Sequence, residues 1–123
     1  MKRIFLFLVI FNVFCCPVQA KGVIQDGLWK TYDKNGIISS LESYRNLKRD
    51  GVVFEYYKQG DVKKFSWYHK DVPYGTARLY YESGKIKKVA TYDNGELKSI
   101  ENYDEQGKLT SKEVIIAEQD DIE

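Results

Sequence analysis

The sequence predicts an all-β fold, with tandem antiparallel β-hairpins laid side by side in an elongated, single-layer meander sheet. Three observations predict it. Glycine and tyrosine recur in one frame with a 24-residue period: Gly27, Tyr32, Gly36 and Tyr44, then Gly51, Tyr56, Gly60 and Tyr68, then Gly75, Tyr80, Gly84 and Tyr92. Such a period marks an internal repeat. Turn chemistry stands at fixed offsets between short runs rich in Val, Ile, Phe, Tyr, Trp and Thr, the residues that suit a pleated surface. No window holds a 3.6-residue apolar period over eleven residues, so no helix is expected in the repeat region.

Residues 1–20 read as a secretory signal peptide. Lys2 and Arg3 form the positive n-region, residues 4–14 are apolar apart from Asn12, and Val18-Gln19-Ala20 puts small residues where a signal peptidase cuts. The expected mature chain begins at Lys21 and is secreted or periplasmic. The apolar run is short for a ~30 Å hydrocarbon core, so a retained membrane anchor ranks second. A lipid on Cys15 or Cys16 ranks third, because bulky Phe14 is a poor neighbour for lipoprotein processing.

Cleavage after Ala20 removes both cysteines, and with them any disulfide, thiol nucleophile or thiolate ligand. The whole chain carries 19 basic and 18 acidic residues, and removing Lys2 and Arg3 leaves 17 against 18, a net charge of −1. Neutralising phosphates takes a basic excess, so nucleic acid is not an expected partner. A mature length of 103 residues suits one small domain, here residues 21–116 with about four repeats.

Each repeat reads as a hairpin. Asp26-Gly27, Asn35-Gly36, Asp50-Gly51 and Asn94-Gly95 are turn dipeptides, and Gln59-Gly60, Ser83-Gly84 and Gln106-Gly107 hold the same glycine slot. Tyr32, Tyr56, Tyr80 and Tyr103 are placed at the end of the first strand of each hairpin, and Tyr44, Tyr68 and Tyr92 at the end of the second. The expected role of these tyrosines is structural, their rings stacking from hairpin to hairpin as cross-strand neighbours. The competing role is a row of platforms for sugars or bases.

Alternation within the strands leaves both faces part apolar. Val52, Phe54 and Tyr56 oppose Val53, Glu55 and Tyr57, and Thr76, Arg78 and Tyr80 oppose Ala77, Leu79 and Tyr81. One layer cannot bury both faces, so the sheet either curls on itself or keeps one face for a partner. The fourth copy is degenerate: Tyr103 and Gly107 are each shifted by 23 residues, and Lys98-Ser99 stand where the opening Gly belongs. Atypical terminal repeats commonly cap such arrays. Leu109 and Val114 to Ile116 allow a last strand. Residues 117–123, with Glu118, Asp120, Asp121 and Glu123, are expected to be a disordered acidic tail.

The unit resembles the bacterial MORN-repeat variant, in the tandem form of the proteins labelled YwqK-family antitoxins. Tyr80-Tyr81-Glu82-Ser83-Gly84-Lys85-Ile86-Lys87-Lys88 followed by Tyr92-Asp93-Asn94-Gly95 carries the resemblance, as does Tyr56-Tyr57-Lys58-Gln59-Gly60-Asp61-Val62-Lys63-Lys64. It covers residues 26–112. The resemblance implies consecutive antiparallel hairpins, and contacts with protein or membrane in place of catalysis. A signal peptide is incompatible with neutralising a cytoplasmic toxin, so the antitoxin label would here mean an immunity-like role outside the cytoplasm.

No catalytic, cofactor-binding or metal-binding residue is expected. The single histidine, His69, sits in a connection without a neighbouring nucleophile in sequence, and one His falls short of a transition-metal site. The glycines are spaced as hairpin punctuation and form no phosphate loop. Lys63-Lys64 and Lys87-Lys88 repeat at 24 residues. They read first as edge and surface protection of the sheet, and second as a basic stripe for an anionic surface. The expected function is an exported, non-enzymatic scaffold that binds another protein. The alternative is an envelope module that holds anionic lipid or glycan through the four lysines and the tyrosines.

Overall fold

The computed structural model describes residues 26–116, and the expected signal peptide and acidic tail lie outside the described residues. Eight strands follow one another in chain order: β1 Gly27–Tyr32, β2 Ile38–Arg45, β3 Lys48–Tyr56, β4 Val62–His69, β5 Val72–Tyr80, β6 Ile86–Asp93, β7 Glu96–Tyr103 and β8 Leu109–Val114. They form one antiparallel sheet in the order β1-β2-β3-β4-β5-β6-β7-β8, so every strand pairs with its neighbours in sequence. The all-β single-layer meander expected from the period is what the chain adopts, with no helix among the described residues.

Two kinds of turn alternate along the sheet. At one end, Gly36, Gly60, Gly84 and Gly107 close four-residue type I turns. In the second of these, Gly60 N donates to Tyr57 O at 2.9 Å and Tyr57 N to Asp61 O at 2.8 Å. Gly60 takes φ 97°, a region that a Cβ disfavours, and this is the glycine-bulge hairpin closure. At the other end the turns have only two residues: Asn46-Leu47, Lys70-Asp71 and Asn94-Gly95, all at positive φ. That geometry matches the right-handed twist of the strands it joins.

The opening glycines are not turns. Gly51 and Gly75 lie inside β3 and β5, where the ladder with the preceding strand slips. Glu42 pairs with Val53 but Tyr44 with Arg49, so one residue of β2 faces three of β3; β4 and β5 repeat this between Phe65–Arg78 and Trp67–Tyr74. Asp50-Gly51 is therefore a bulge, and Gly27 opens β1. The bulge carries two extra residues, which keeps the side-chain alternation in step on both sides of it. Between β6 and β7 the slip, from Thr91–Ser99 to Tyr92–Leu97, leaves a single extra residue. The missing residue accounts for the 23-residue shift of Tyr103 and Gly107. The degenerate fourth copy is a hairpin whose bulge is one residue shorter.

Small clips tie successive hairpins together at the two-residue turns. Asp71 N donates to Arg49 O at 2.9 Å and Gly95 N to Pro73 O at 3.1 Å, 24 residues on. The Asp71 carboxylate also accepts from Arg49 N at 2.8 Å.

The two faces differ. Ser40, Val53 and Ser66 are the buried residues among those described, and alternation puts all three on one face, with Ala77 and Ala90 in line. In a single layer, such burial means that longer side chains of neighbouring strands close over the small ones. The other face stays open and carries Phe54, Phe65 and Trp67, with Trp67 37% and Tyr74 43% exposed.

Candidate binding face

On the open face the rings of three strands make a continuous row. Phe54 stacks on Tyr56 at 6.2 Å within β3 and meets Phe65 of β4 at 5.1 Å. Phe65 is edge-on to Trp67 at 5.6 Å, Trp67 lies 6.3 Å from Tyr74 of β5, and Tyr74 meets the His69 ring at 6.4 Å. The ladder builds the row: Phe54 pairs with Phe65, and Trp67 pairs with Tyr74 because the bulge at Gly75 brings Tyr74 opposite it. Offset and edge contacts of this kind contribute about 0.5–1.5 kcal/mol beyond area. Beside the row a shallow groove is lined by His69, Val72, Tyr74, Gly75, Asp93 and Asn94.

The repeat tyrosines do not stack from hairpin to hairpin, contrary to the sequence expectation. A 24-residue step crosses two strands, about 9–10 Å, and ring contacts need 4.5–7 Å. Tyr56 joins the row, whereas the second series lies on the opposite face. There Tyr44 donates to Glu42 Oε2 at 3.1 Å, and the Arg49 guanidinium sits 5.2 Å from the Tyr68 ring centre. Glu42 is a hub: it also receives Arg49 Nε at 3.2 Å and the Ser40 hydroxyl at 3.3 Å. Hydrogen bonding to Tyr44, opposed by burial and aided by the Glu42 carboxylate, raises the Arg49 pKa above its ordinary value.

Two tyrosines outside the glycine-tyrosine frame do the linking between hairpins. The Tyr57 hydroxyl donates to Tyr80 O at 2.7 Å, and that of Tyr81 to Tyr103 O at 2.8 Å. Their 24-residue separation was a usable signal. In the first and last hairpins the same slot holds Asp33 and Asp104, whose carboxylates each bond two backbone N–H groups of their own turns.

The four lysines do not act alike. Lys63 and Lys87 sit at ladder bulges opposite Tyr56 and Tyr80, with Nζ 5.9 Å and 5.4 Å from the Tyr57 and Tyr81 ring centres. Lys64 is 3.1 Å from Glu55 across the ladder. Lys88 is exposed, between Leu79 and Asn102. His69 Nδ1 lies 3.3 Å from Asp50 Oδ1, and the adjoining groove has no Ser, Thr or Cys in its lining. Among the described residues no three His, Cys, Asp or Glu side chains converge.

The hairpin is the unit that the family comparison recognises. Residues 25–46 and 73–94 match the MORN repeat variant. The first match spans β1, its glycine-bulge turn and β2, and the second spans β5, the equivalent turn and β6. Hairpins β3–β4 and β7–β8 repeat the same geometry between and after the two MORN matches. Apart from Tyr56, the aromatic row fills no repeat slot: the position of Phe54 is Lys30 in the first hairpin, Arg78 in the third and Glu101 in the fourth. The comparison with curated proteins gives no match.

Proposed function

We propose that this is an exported, non-enzymatic MORN-variant repeat protein that binds another protein through the aromatic face of β3–β5, in an immunity-like role outside the cytoplasm. The observation that carries the reading is the row from Tyr56 to Tyr74. Among the described residues no second layer covers it, and exposed aromatic clusters of this kind mark interaction surfaces. Residues 1–20 support export. Against the lipid or glycan alternative stand the engaged states of Lys63, Lys64 and Lys87.

The test places a photo-crosslinking amino acid at Trp67, or at Lys88 on the opposite face, in the full chain expressed in its host. Capture of one protein at position 67 and not at 88, surviving high salt, supports the reading. Equal capture at both, or none at 67, refutes it. Intact mass of the recovered protein tests cleavage after Ala20: residues 21–123 in a soluble envelope fraction support a free exported protein, and a retained or lipidated N-terminus in the membrane fraction ties the sheet to a bilayer and favours the lysine-stripe alternative.

A further inference from the structure

Arg78 stands in the middle of the aromatic face. It pairs across the ladder with Phe65 on one side and Val89 on the other, in the slot that Phe54 fills one hairpin earlier. It is exposed, and among the described residues it has no ion pair, hydrogen bond or ring contact. Other charged groups on the flanking strands are engaged: Glu101 with Lys112, and Lys63 and Lys87 over tyrosine rings. Two shallow depressions flank it. One is lined by Phe54, Val62, Phe65 and Tyr80 with Asp61 at its edge, the other by Phe65, Trp67, Tyr74 and Thr76, and Arg78 borders both without an ion pair to Asp61.

Given the protein-binding reading of this face, on which the inference rests, we infer that Arg78 is a carboxylate-recognition site for an extended protein segment bearing an Asp or Glu between two apolar residues. The guanidinium presents a planar fork that takes a carboxylate bidentately, and among the described residues no carboxylate pairs with it. The geometry along β5 sets the spacing. Tyr80, Arg78 and Thr76 are alternate residues, about 6.6 Å apart, which is also the spacing of same-side residues in an extended peptide. A segment laid along β5 therefore sets an apolar side chain into each depression while its acid meets Arg78. A lipid surface fits less well, since membrane attraction grows by about 1 kcal/mol for each basic residue near the surface and this part of the face offers one uncommitted cation.

The experiment is selection of a phage-displayed random peptide library on the protein obtained from full-chain expression. The expected winners carry Asp or Glu two residues from apolar residues on both sides. For a selected peptide, Arg78→Gln weakens binding about tenfold, as does changing the peptide's acid to its amide, and the two changes together cost no more than either alone. Arg78→Lys restores part of the loss. If Trp67→Ser leaves the selected peptides bound, the aromatic-face reading fails. If Trp67→Ser releases them and Arg78→Gln does not, the face stands and the carboxylate site is overturned. Failure to select any peptide, or binding only of phosphatidylserine vesicles or polygalacturonate in an Arg78-dependent way, also overturns it.

Discussion

The Tyr57 hydroxyl donates to the carbonyl of Tyr80 at 2.7 Å, reaching from the turn after β3 to the end of β5. Tyr81 repeats the bond to Tyr103 at 2.8 Å. Neighbouring hairpins also meet through the strand ladder, the clips at the two-residue turns and mid-strand contacts such as Arg49–Glu42 and Trp67–Tyr74. These phenols therefore hold the glycine-bulge ends of the array together. Each also lies beneath a lysine, Lys63 or Lys87, which covers the ring.

Tyr57→Phe and Tyr81→Phe each remove one such bond without changing ring packing. Each substitution is expected to cost about 1 kcal/mol, and the pair about 2 kcal/mol. The urea midpoint should fall with the m-value unchanged. Tyr32→Phe, at the exposed first hairpin, is the control and should leave the midpoint in place. A double variant as stable as wild type would remove the linking role.

The two bulge glycines should respond differently to alanine. Both have positive φ, 114° at Gly51 and 67° at Gly75, so each pays for backbone strain, about 1–2 kcal/mol for a left-handed residue. A Cβ at Gly75 meets open space, whereas one at Gly51 falls 3.0 Å from Ser43 Cβ. Gly51→Ala is expected to be the more destabilising by urea titration, and Ser43→Gly in the same chain should recover the difference but not the strain. Equal losses at the two sites would refute the steric part.

How far the sequence reveals this molecule follows from what repeats. Tyr32, Tyr56, Tyr80 and Tyr103 recur with the period and end β1, β3, β5 and β7, so the hairpin count and sheet type are legible. The two-residue turns are only partly so. Asn94-Gly95 advertises itself, but Asn46-Leu47 puts an apolar residue at φ 64°, and Lys70-Asp71 has no glycine. Asp50-Gly51 carries turn chemistry yet sits mid-strand, because a bulge needs the same positive φ as a turn. The aromatic row escapes a repeat-based reading because it does not repeat: Phe65 and Trp67 are Leu41 and Ser43 one hairpin earlier and Val89 and Thr91 one hairpin later. Register alone brings Tyr74 to Trp67, and that register depends on the bulge.

The last hairpin should make stability fall at both ends of the pH scale. Glu101 accepts from Lys112 at 2.8 Å and from the Tyr103 hydroxyl at 2.7 Å, and these bonds, Lys112 first, hold its pKa below the ordinary 4.5. A depressed carboxyl contributes stability that is full above its unfolded value and is lost as pH falls through the folded one. Hydrogen bonding to Glu101 raises Lys112 above 10.5 and Tyr103 above 10.0. Raised groups contribute below those values and lose their contribution as pH rises through the folded pKa. The thermal midpoint is thus expected to drop below about pH 4.5 and above about pH 10, with Glu101→Gln flattening both limbs. Unchanged limbs in that variant would show that the acid and alkaline losses arise elsewhere.

The sharpest test of the bulge account is deletion. Removing Gly75 gives β5 the length of β7 and leaves Tyr80 one residue closer to Tyr56, a 23-residue spacing that this chain already uses between Tyr80 and Tyr103. On the β4 side the deleted residue belongs to the slip between Phe65–Arg78 and Trp67–Tyr74, so both stretches of that ladder can keep their partners, and on the β6 side only the terminal Gly75–Tyr92 pair is lost. Removing Leu79, which pairs with both Lys64 and Lys88, instead shifts part of β5 by one residue and turns its side chains to the wrong face. The Gly75 deletion should keep a single cooperative urea transition at reduced stability, and the Leu79 deletion should lose it. The Gly75 deletion should also weaken peptide binding at the aromatic face, because Tyr74 owes its position opposite Trp67 to that bulge. A Gly75 deletion that fails to fold, or one that binds peptide as wild type does, would mean that the bulge sets neither the 23-residue spacing nor the aromatic row.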